Sequence, residues 1–298
     1  MIYDYTKHYL KITMKIFFYF ISIVPKPLFS ALLDIYMSIG IFKRTSSYKV
    51  TKANIKIAYP NRTKSDIDLL SKLSIRETII SGFESIYAWG RNEAEVNSKI
   101  LRVENNFLIN NLKHNGLIAV SFHNRSVDML LSWMNSQQTT YSLYKKVKNK
   151  RLEAFIKNKR QSGNSKCYET TIGGVRQILR AIRNKNIVCF AADQVPKRGL
   201  GEHINFYNKG AYSTTLVQSL ATKTLAPVVY FYIQTNKDSI NNIILKHCSE
   251  DIYNDSKHKL LINSDIEKFI NERPADYSWE YKRFKRSEGF INNPYEGL

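Results

Sequence analysis

The sequence predicts an α/β fold in which a largely parallel central sheet is flanked by helices. Short β-branched or aromatic runs alternate with helical stretches from Thr63 to the C-terminal region. A His and an acid stand where one of those apolar runs ends and the next helix begins, which is where open α/β sheets carry their active residues. The 298 residues are 43% hydrophobic, enough to fill a sizeable core, so disordered, low-complexity and collagen-like classes are excluded.

The N-terminus is compositionally distinct. Apolar residues concentrate in Ile16–Val24 and Leu28–Phe42, with Pro25, Lys26 and Pro27 between them and Lys7, Lys11 and Lys15 before them. Neither run reaches the roughly 20 residues of a spanning helix, and Asp34 interrupts the second. This segment reads as an apolar helical anchor lying in or partly inserted into a membrane interface. A kinked spanning helix, a cleaved signal peptide without a clear cleavage site, and an ordinary pair of core helices are the alternatives. Its lysines favour an anionic, cytoplasmic leaflet. The division expected is a membrane-associated helical segment over 1–44 and one catalytic domain over 45–298, with no internal repeat and no linker dividing the chain after residue 45.

Within the domain, Thr63-Lys64-Ser65-Asp66 reads as a capping-box-like start to a helix running toward Trp89, with Ile67, Leu70, Leu73, Ile80 and Phe83 at helical spacing. Gly116–His123 reads as a buried strand, Ser126–Asn135 as a helix with Ser126 as its N-cap, and Thr139–Tyr144 as a strand. Helices follow at Asn149–Gln161 and Gly173–Arg183, the Gly173-Gly174 pair being a turn that opens the second of them. A strand at Asn186–Asp193 precedes a Gly- and Pro-containing loop, Val195–Gly201. The remainder reads as a helix at Ser213–Lys223, strands at Ala226–Gln234 and Asn242–His247, and a helix at Ser256–Asn271.

The net charge of +20, from 45 Lys and Arg against 25 Asp and Glu, points to an anionic partner: nucleic acid, a membrane surface, an acidic protein or a phosphorylated substrate. The three cysteines, Cys167, Cys189 and Cys248, show no CxxC spacing and imply free thiols. The six histidines show neither HExxH nor paired-ligand spacing, so no metal site is expected.

The informative segment is Ala119-Val120-Ser121-Phe122-His123-Asn124-Arg125-Ser126-Val127-Asp128. It sets His123 at a strand end and Asp128 in the first turn of the following helix. That turn can bring the carboxylate to one imidazole nitrogen, fixing the tautomer and leaving the other nitrogen as a base. A satisfied strand-end histidine beside a helix-capping acid is the plainer reading of the same residues.

H-x4-D after an apolar strand resembles the signature of the glycerolipid and lipid A acyltransferase superfamily, and further segments resemble its late acyltransferases of lipid A biosynthesis. Thr51–Pro60 resembles the upstream segment in which an Asn and a Tyr-Pro or Phe-Pro pair precede an acidic helix. Tyr144–Glu153 resembles a Y-R-P-x-x-N-P-x-x-D segment through Tyr144 and Asn149, departing from it at Lys145, Lys146, Lys150 and Glu153. Arg160, Asp193-Gln194 and the Arg273–Phe284 segment follow in the family's order, with Tyr277 in place of the first Trp of a Trp-x-Trp pair. Around the base, however, the family reads G-H-F-G-N-W-E. The H-N-R-S-x-D-like pattern here leans toward the glycerophosphate branch, whose Pro-Glu-Gly-Thr-Arg block is missing.

The resemblance covers about residues 45–285. It implies a glycerolipid acyltransferase-like fold and transfer of a fatty acyl chain from an acyl carrier protein thioester to a hydroxyl of a Kdo-bearing lipid A precursor. The setting implied is the cytoplasmic face of a bacterial inner membrane. A lysophospholipid or glycerophosphate acyltransferase is the alternative, and a basic nucleic-acid-binding protein a minor one; no helix-turn-helix, zinc-finger or RNP motif supports the latter. His123 is then the general base and Asp128 its orienting acid. A thioester is already activated, so no metal or organic cofactor is expected, and without a G-x-S-x-G elbow neither is an acyl-enzyme.

The stretch from Lys145 to Lys185 carries thirteen basic residues and only two acids, Glu153 and Glu169. It reads as an anion-binding surface for the acidic carrier or the anionic lipid acceptor. Within it Lys145 is a candidate substrate-binding residue, as is Arg125 outside it; Asp193, at a strand end before a loop, is a candidate to bind a polar acceptor group or to help place the His123–Asp128 dyad, with a structural cap as the plainer reading. Arg160 is singled out because a guanidinium can fork onto a phosphate or polarise an oxyanion.

Overall fold

The computed structural model describes residues 2–236 and 240–298, with side chains from residue 13 onward. The helices are α1 (Ile2–Ile23), α2 (Lys26–Ile39), α3 (Ser46–Ala58), α4 (Lys64–Gly90), α5 (Glu93–Asn97), α6 (Phe107–Leu112), α7 (Val127–Gln137), α8 (Lys150–Arg160), α9 (Ile172–Arg183), α10 (Leu216–Thr224) and α11 (His258–Glu272). The strands are β1 (Ile100–Glu104), β2 (Leu117–Ser121), β3 (Thr140–Tyr144), β4 (Lys166–Glu169), β5 (Ile187–Ala191), β6 (Glu202–Phe206), β7 (Lys209–Ser213), β8 (Val228–Thr235) and β9 (Asn241–His247).

Among the described residues, seven strands form one sheet in the order β1-β9-β8-β2-β5-β3-β4. Every neighbouring pair in it is parallel except β8 with β9. The chain leaves β2 toward β3 on one side and returns from β5 to β8 on the other. The carboxyl ends of β2 and β5 thus flank a topological switch point, where α/β sheets open a crevice.

Alternation along the strands divides the core into two layers. Ile118 and Val120 of β2 face a cluster shared with Val188, Tyr230 and helices α9, α10 and α11. Leu117 and Ala119 face the opposite side, against Ile187, Val229 and the α7 residues Met129, Leu130 and Met134. Each large apolar side chain buried this way stabilises the fold by about 1.5–3 kcal/mol. Cys167, Cys189 and Cys248 are all free and buried.

Helix α4 is the long beam on which the N-terminal segment rests. Thr63 caps it by accepting the Asp66 N–H at 3.1 Å, as its sequence predicts. At its far end Gly90 allows α1 to pass close by: a Cβ there would lie 2.5 Å from the Phe18 carbonyl oxygen. Phe18 then packs edge-on to Trp89 and against Phe155 of α8. The Val24-Pro25 break separates α1 from α2. Among the described residues no single helix is long and apolar enough to cross a membrane, although Thr13–Ile23 and Lys26–Ile39, bent by 82°, pass that test together. Much of the apolar surface of this pair is uncovered; Phe20 is 64% and Ile39 63% exposed.

Several elements escape the sequence pattern, among them the short helices α5 and α6. Strands β1 and β4 are short edge strands whose polar residues blur their period. The β6–β7 hairpin turns on Tyr207-Asn208, both with positive φ, a two-residue geometry usually announced by Asn-Gly. Here it is announced only by Asn208.

Candidate active site

Strand register builds the centre of the site. In the parallel pair β2–β5, Ser121 lies opposite Ala191, so the residues two further on, His123 and Asp193, leave the sheet side by side. Asp193 Oδ1 lies 2.7 Å from His123 Nδ1, and its Oδ2 accepts the His123 backbone N–H at 3.1 Å. The carboxylate is buried while the imidazole is 30% exposed, so the ring is held from behind and open in front. An Nδ1–H donated to Asp193 leaves Nε2 with the free lone pair.

The electrostatics fit that assignment. Burial pulls the His123 imidazole down, but the charge and hydrogen bond of Asp193 outweigh it and hold the ring above its ordinary value. Burial pushes Asp193 up, and His123 more than compensates, leaving the carboxyl below its ordinary range. Gln194 places its amide nitrogen 2.9 Å from Nε2, on the open side of the ring.

The C-terminal segment is the back wall. His123 C=O accepts the Ser278 N–H at 2.9 Å, and Arg125 donates its own N–H to the Asp276 carbonyl at 3.0 Å. Tyr277 is buried beside Asp193 and its phenol is held far above its ordinary value, first by burial and then by that carboxylate. Asn54 of α3 ties in the same segment, donating to the Trp279 and Tyr281 carbonyls at 2.6 and 2.7 Å. The upstream and terminal motifs, over two hundred residues apart in sequence, are therefore one packed unit.

Two expectations about partners are corrected. Asp128 does not touch His123. Ser126 caps α7 by accepting the Met129 N–H, and the first turn it sets aims Asp128 toward α8. There the carboxylate takes a two-point contact from Arg160, with Nε at 2.7 Å and Nη2 at 3.1 Å. The acid that orients the imidazole is Asp193, and the Arg160 fork expected to meet a phosphate or polarise an oxyanion has its Nε and Nη2 on Asp128.

Arg125 is likewise displaced from a substrate-binding role. Its φ of 62° turns the side chain inward beneath α4, where it is fully buried. It ion-pairs with Glu77 and, at 2.7 Å, with Glu84. Glu84 also meets Lys26 of α2 at 2.9 Å and Asn241 at 2.8 Å. Burial pushes Glu84 up, but Arg125 and Lys26 together hold it below its ordinary value. Lys145 is exposed, and its charge reaches Tyr281, whose hydroxyl accepts the Val195 N–H at 3.0 Å.

The Tyr144 segment works through α8. Asn149 caps that helix by accepting the Arg151 and Leu152 N–H groups, and Tyr144 donates to Glu153 at 2.9 Å. Together they set the pitch of α8 and hence the place of Arg160. Gly174 is needed at the next helix, since a Cβ there would fall 1.9 Å from the Glu169 carbonyl oxygen.

The model of the bacterial lipid A biosynthesis acyltransferase family matches residues 2–286. The chain belongs to that family. It is therefore an O-acyltransferase of lipid A biosynthesis, and of the motifs that resemble the family's, Asp193-Gln194 and the Arg273–Phe284 segment meet His123 directly. No curated protein sequence matches the chain.

For this acyltransferase, sequence reasoning overlooked Glu280. Its carboxyl accepts the Thr78 hydroxyl at 3.0 Å, burial holds it above its ordinary value, and its charge adds to the upward pull on His123. No pairing pattern along the chain announces it. The signal for Asp193 as the imidazole's partner was present in the matched lengths of two adjacent strand ends, but it is readable only once β2 and β5 are known to be neighbours.

Proposed function

We propose that this chain moves a fatty acyl group from an acyl carrier protein thioester onto a hydroxyl of a Kdo-bearing lipid A precursor, with His123 as general base. The observation that carries the proposal is the His123–Asp193 contact at the carboxyl edge of the sheet, with the far side of the ring open. The acceptor hydroxyl takes the place held by the Gln194 amide and gives its proton to Nε2 as its oxygen attacks the thioester carbonyl. Asp193 stabilises the imidazolium that results. The tetrahedral intermediate collapses by breaking the C–S bond, and the departing thiolate takes the proton back from Nε2.

The surroundings support each partner. The 1–44 segment suits an anionic inner-membrane surface on the cytoplasmic face, through the uncovered apolar side that α1 and α2 show from residue 13 onward and through the Lys7, Lys11 and Lys15 of its sequence. The domain at 45–298 supplies the catalyst. Exposed Lys145, Lys148, Lys150 and Arg151, with Arg176, Arg180 and Arg183 of α9, suit an acidic carrier.

Mass spectrometry of products from purified protein, carrier thioester and either a Kdo-bearing lipid A precursor or a glycerophosphate acceptor tests the proposal. Acylation of the glycolipid is expected. Transfer to glycerophosphate alone would overturn it.

A further inference from the structure

A cleft of about 550 Å³ opens on the α4, α7 and α8 side of the site, with Asp128 and Arg160 in its lining. Its other walls include Trp89, Arg91, Leu131 and Lys159. The three cations in it are not equivalent. Arg160 is committed to Asp128. Arg91 is committed to Ser22 and, at 3.1 Å, to Glu95.

Lys159 has no carboxylate partner among the described residues. Its ammonium, with three donors to satisfy, meets only the Arg91 carbonyl at 3.3 Å. The lysine is half-buried, and its pKa is held below the ordinary value first by that burial and then by the like charge of Lys15. The indole of Trp89 walls the same cleft, while its buried Nε1–H has no hydrogen-bond partner among the described residues. A half-buried cation beside another cation, with one carbonyl for its three donors, is a deficit that an oxyanion relieves.

We infer that this cleft is a subsite for a phosphate-type oxyanion of a substrate, held by Lys159, with Leu131 and the Trp89 indole ring covering the adjoining apolar part. The inference rests on the proposed acyl transfer for its setting. Two substrates could deliver the group: the phosphorylated sugar of the acceptor or the phosphodiester of the carrier's pantetheine arm.

A binding measurement reads the subsite independently of turnover. The full chain carrying 5-fluorotryptophan, with the Trp89 signal assigned by its loss in Trp89→Phe, is titrated with inorganic phosphate and followed by ¹⁹F NMR. The Trp89 signal is expected to move, saturably, and to stay still in Lys159→Ala. An unmoved signal in the unsubstituted chain, or the same shift in Lys159→Ala, overturns the inference even if acyl transfer is established.

Kinetics then identify the source. Lys159→Ala is expected to raise one substrate's KM about tenfold with kcat changed far less, and Lys159→Arg to restore most of it. If the acceptor carries the group, the penalty vanishes with a dephosphorylated acceptor. If the carrier arm does, it vanishes with a short acyl thioester lacking phosphate. A penalty that persists with both truncated substrates overturns the assignment. Absence of any transfer by the unsubstituted chain would instead sink the proposed function and leave the phosphate titration to decide the subsite.

Discussion

Asp128, in the first turn of α7 after β2, and Asp193, just beyond β5, have been given different work by their surroundings. Asp193 leaves β5 in register with His123, is buried, and puts one oxygen on that residue's ring and the other on its backbone N–H, with the Tyr277 hydroxyl beside it. Asp128 sits on the first turn of α7 and spends both oxygens on Arg160 at the end of α8. One carboxylate tunes a base; the other anchors a helix against the site. A third acidic region, Glu77 and Glu84 on α4, belongs wholly to structure, because the guanidinium it holds is sealed from solvent.

The largest expected effect is at the ring. His123→Ala should reduce acyl transfer by at least about 10³-fold while the chain keeps its circular dichroism and its binding to vesicles. Retained turnover would remove His123 from the chemistry and leave the contrast between the two acids without meaning.

Arg125→Ala tests the region assigned to structure. It removes the buried guanidinium shared by two buried carboxylates, leaving Glu77 only Arg76 and Glu84 only Lys26 as cationic partners among the described residues, and unfolding in denaturant should show a loss of about 3 kcal/mol. A variant of normal stability and low activity would move Arg125 back to the substrate.

Asp193→Asn against Asp128→Asn is the sharpest comparison. The first should lower kcat about hundredfold and the second about tenfold, the smaller loss arising through a loosened Arg160. The pH profile separates them further. The base must be neutral to act, so activity rises with pH through the imidazole's pKa, which Asp193 holds above the ordinary 6.5. Removing that charge lowers the pKa, so the acid limb of the profile should move to lower pH in Asp193→Asn. In Asp128→Asn it should move less. The reverse order would return Asp128 to the imidazole.

Local chemistry was written plainly in the chain. Thr63, Ser126 and Asn149 are helix caps because their side-chain oxygens reach N–H groups two or three residues on, and no distant residue is needed for that. The strand and helix alternation likewise follows from short-range period. What could not be read was any consequence of strand order. H-x4-D invites pairing across a turn, yet the partner of His123 lies seventy residues away on the neighbouring strand. The charge of +20 named an anionic partner without saying which lysine lacks a counterion; that required the packing of α8 against α1 and α4. The sequence determined most of the elements, the residue types at the strand ends and the family, since these depend on neighbours along the chain. Only the tertiary structure decided which acid meets the base, which arginine is buried and where the basic surface opens into a cleft, because those depend on sheet register and on the direction a single positive-φ residue gives its side chain.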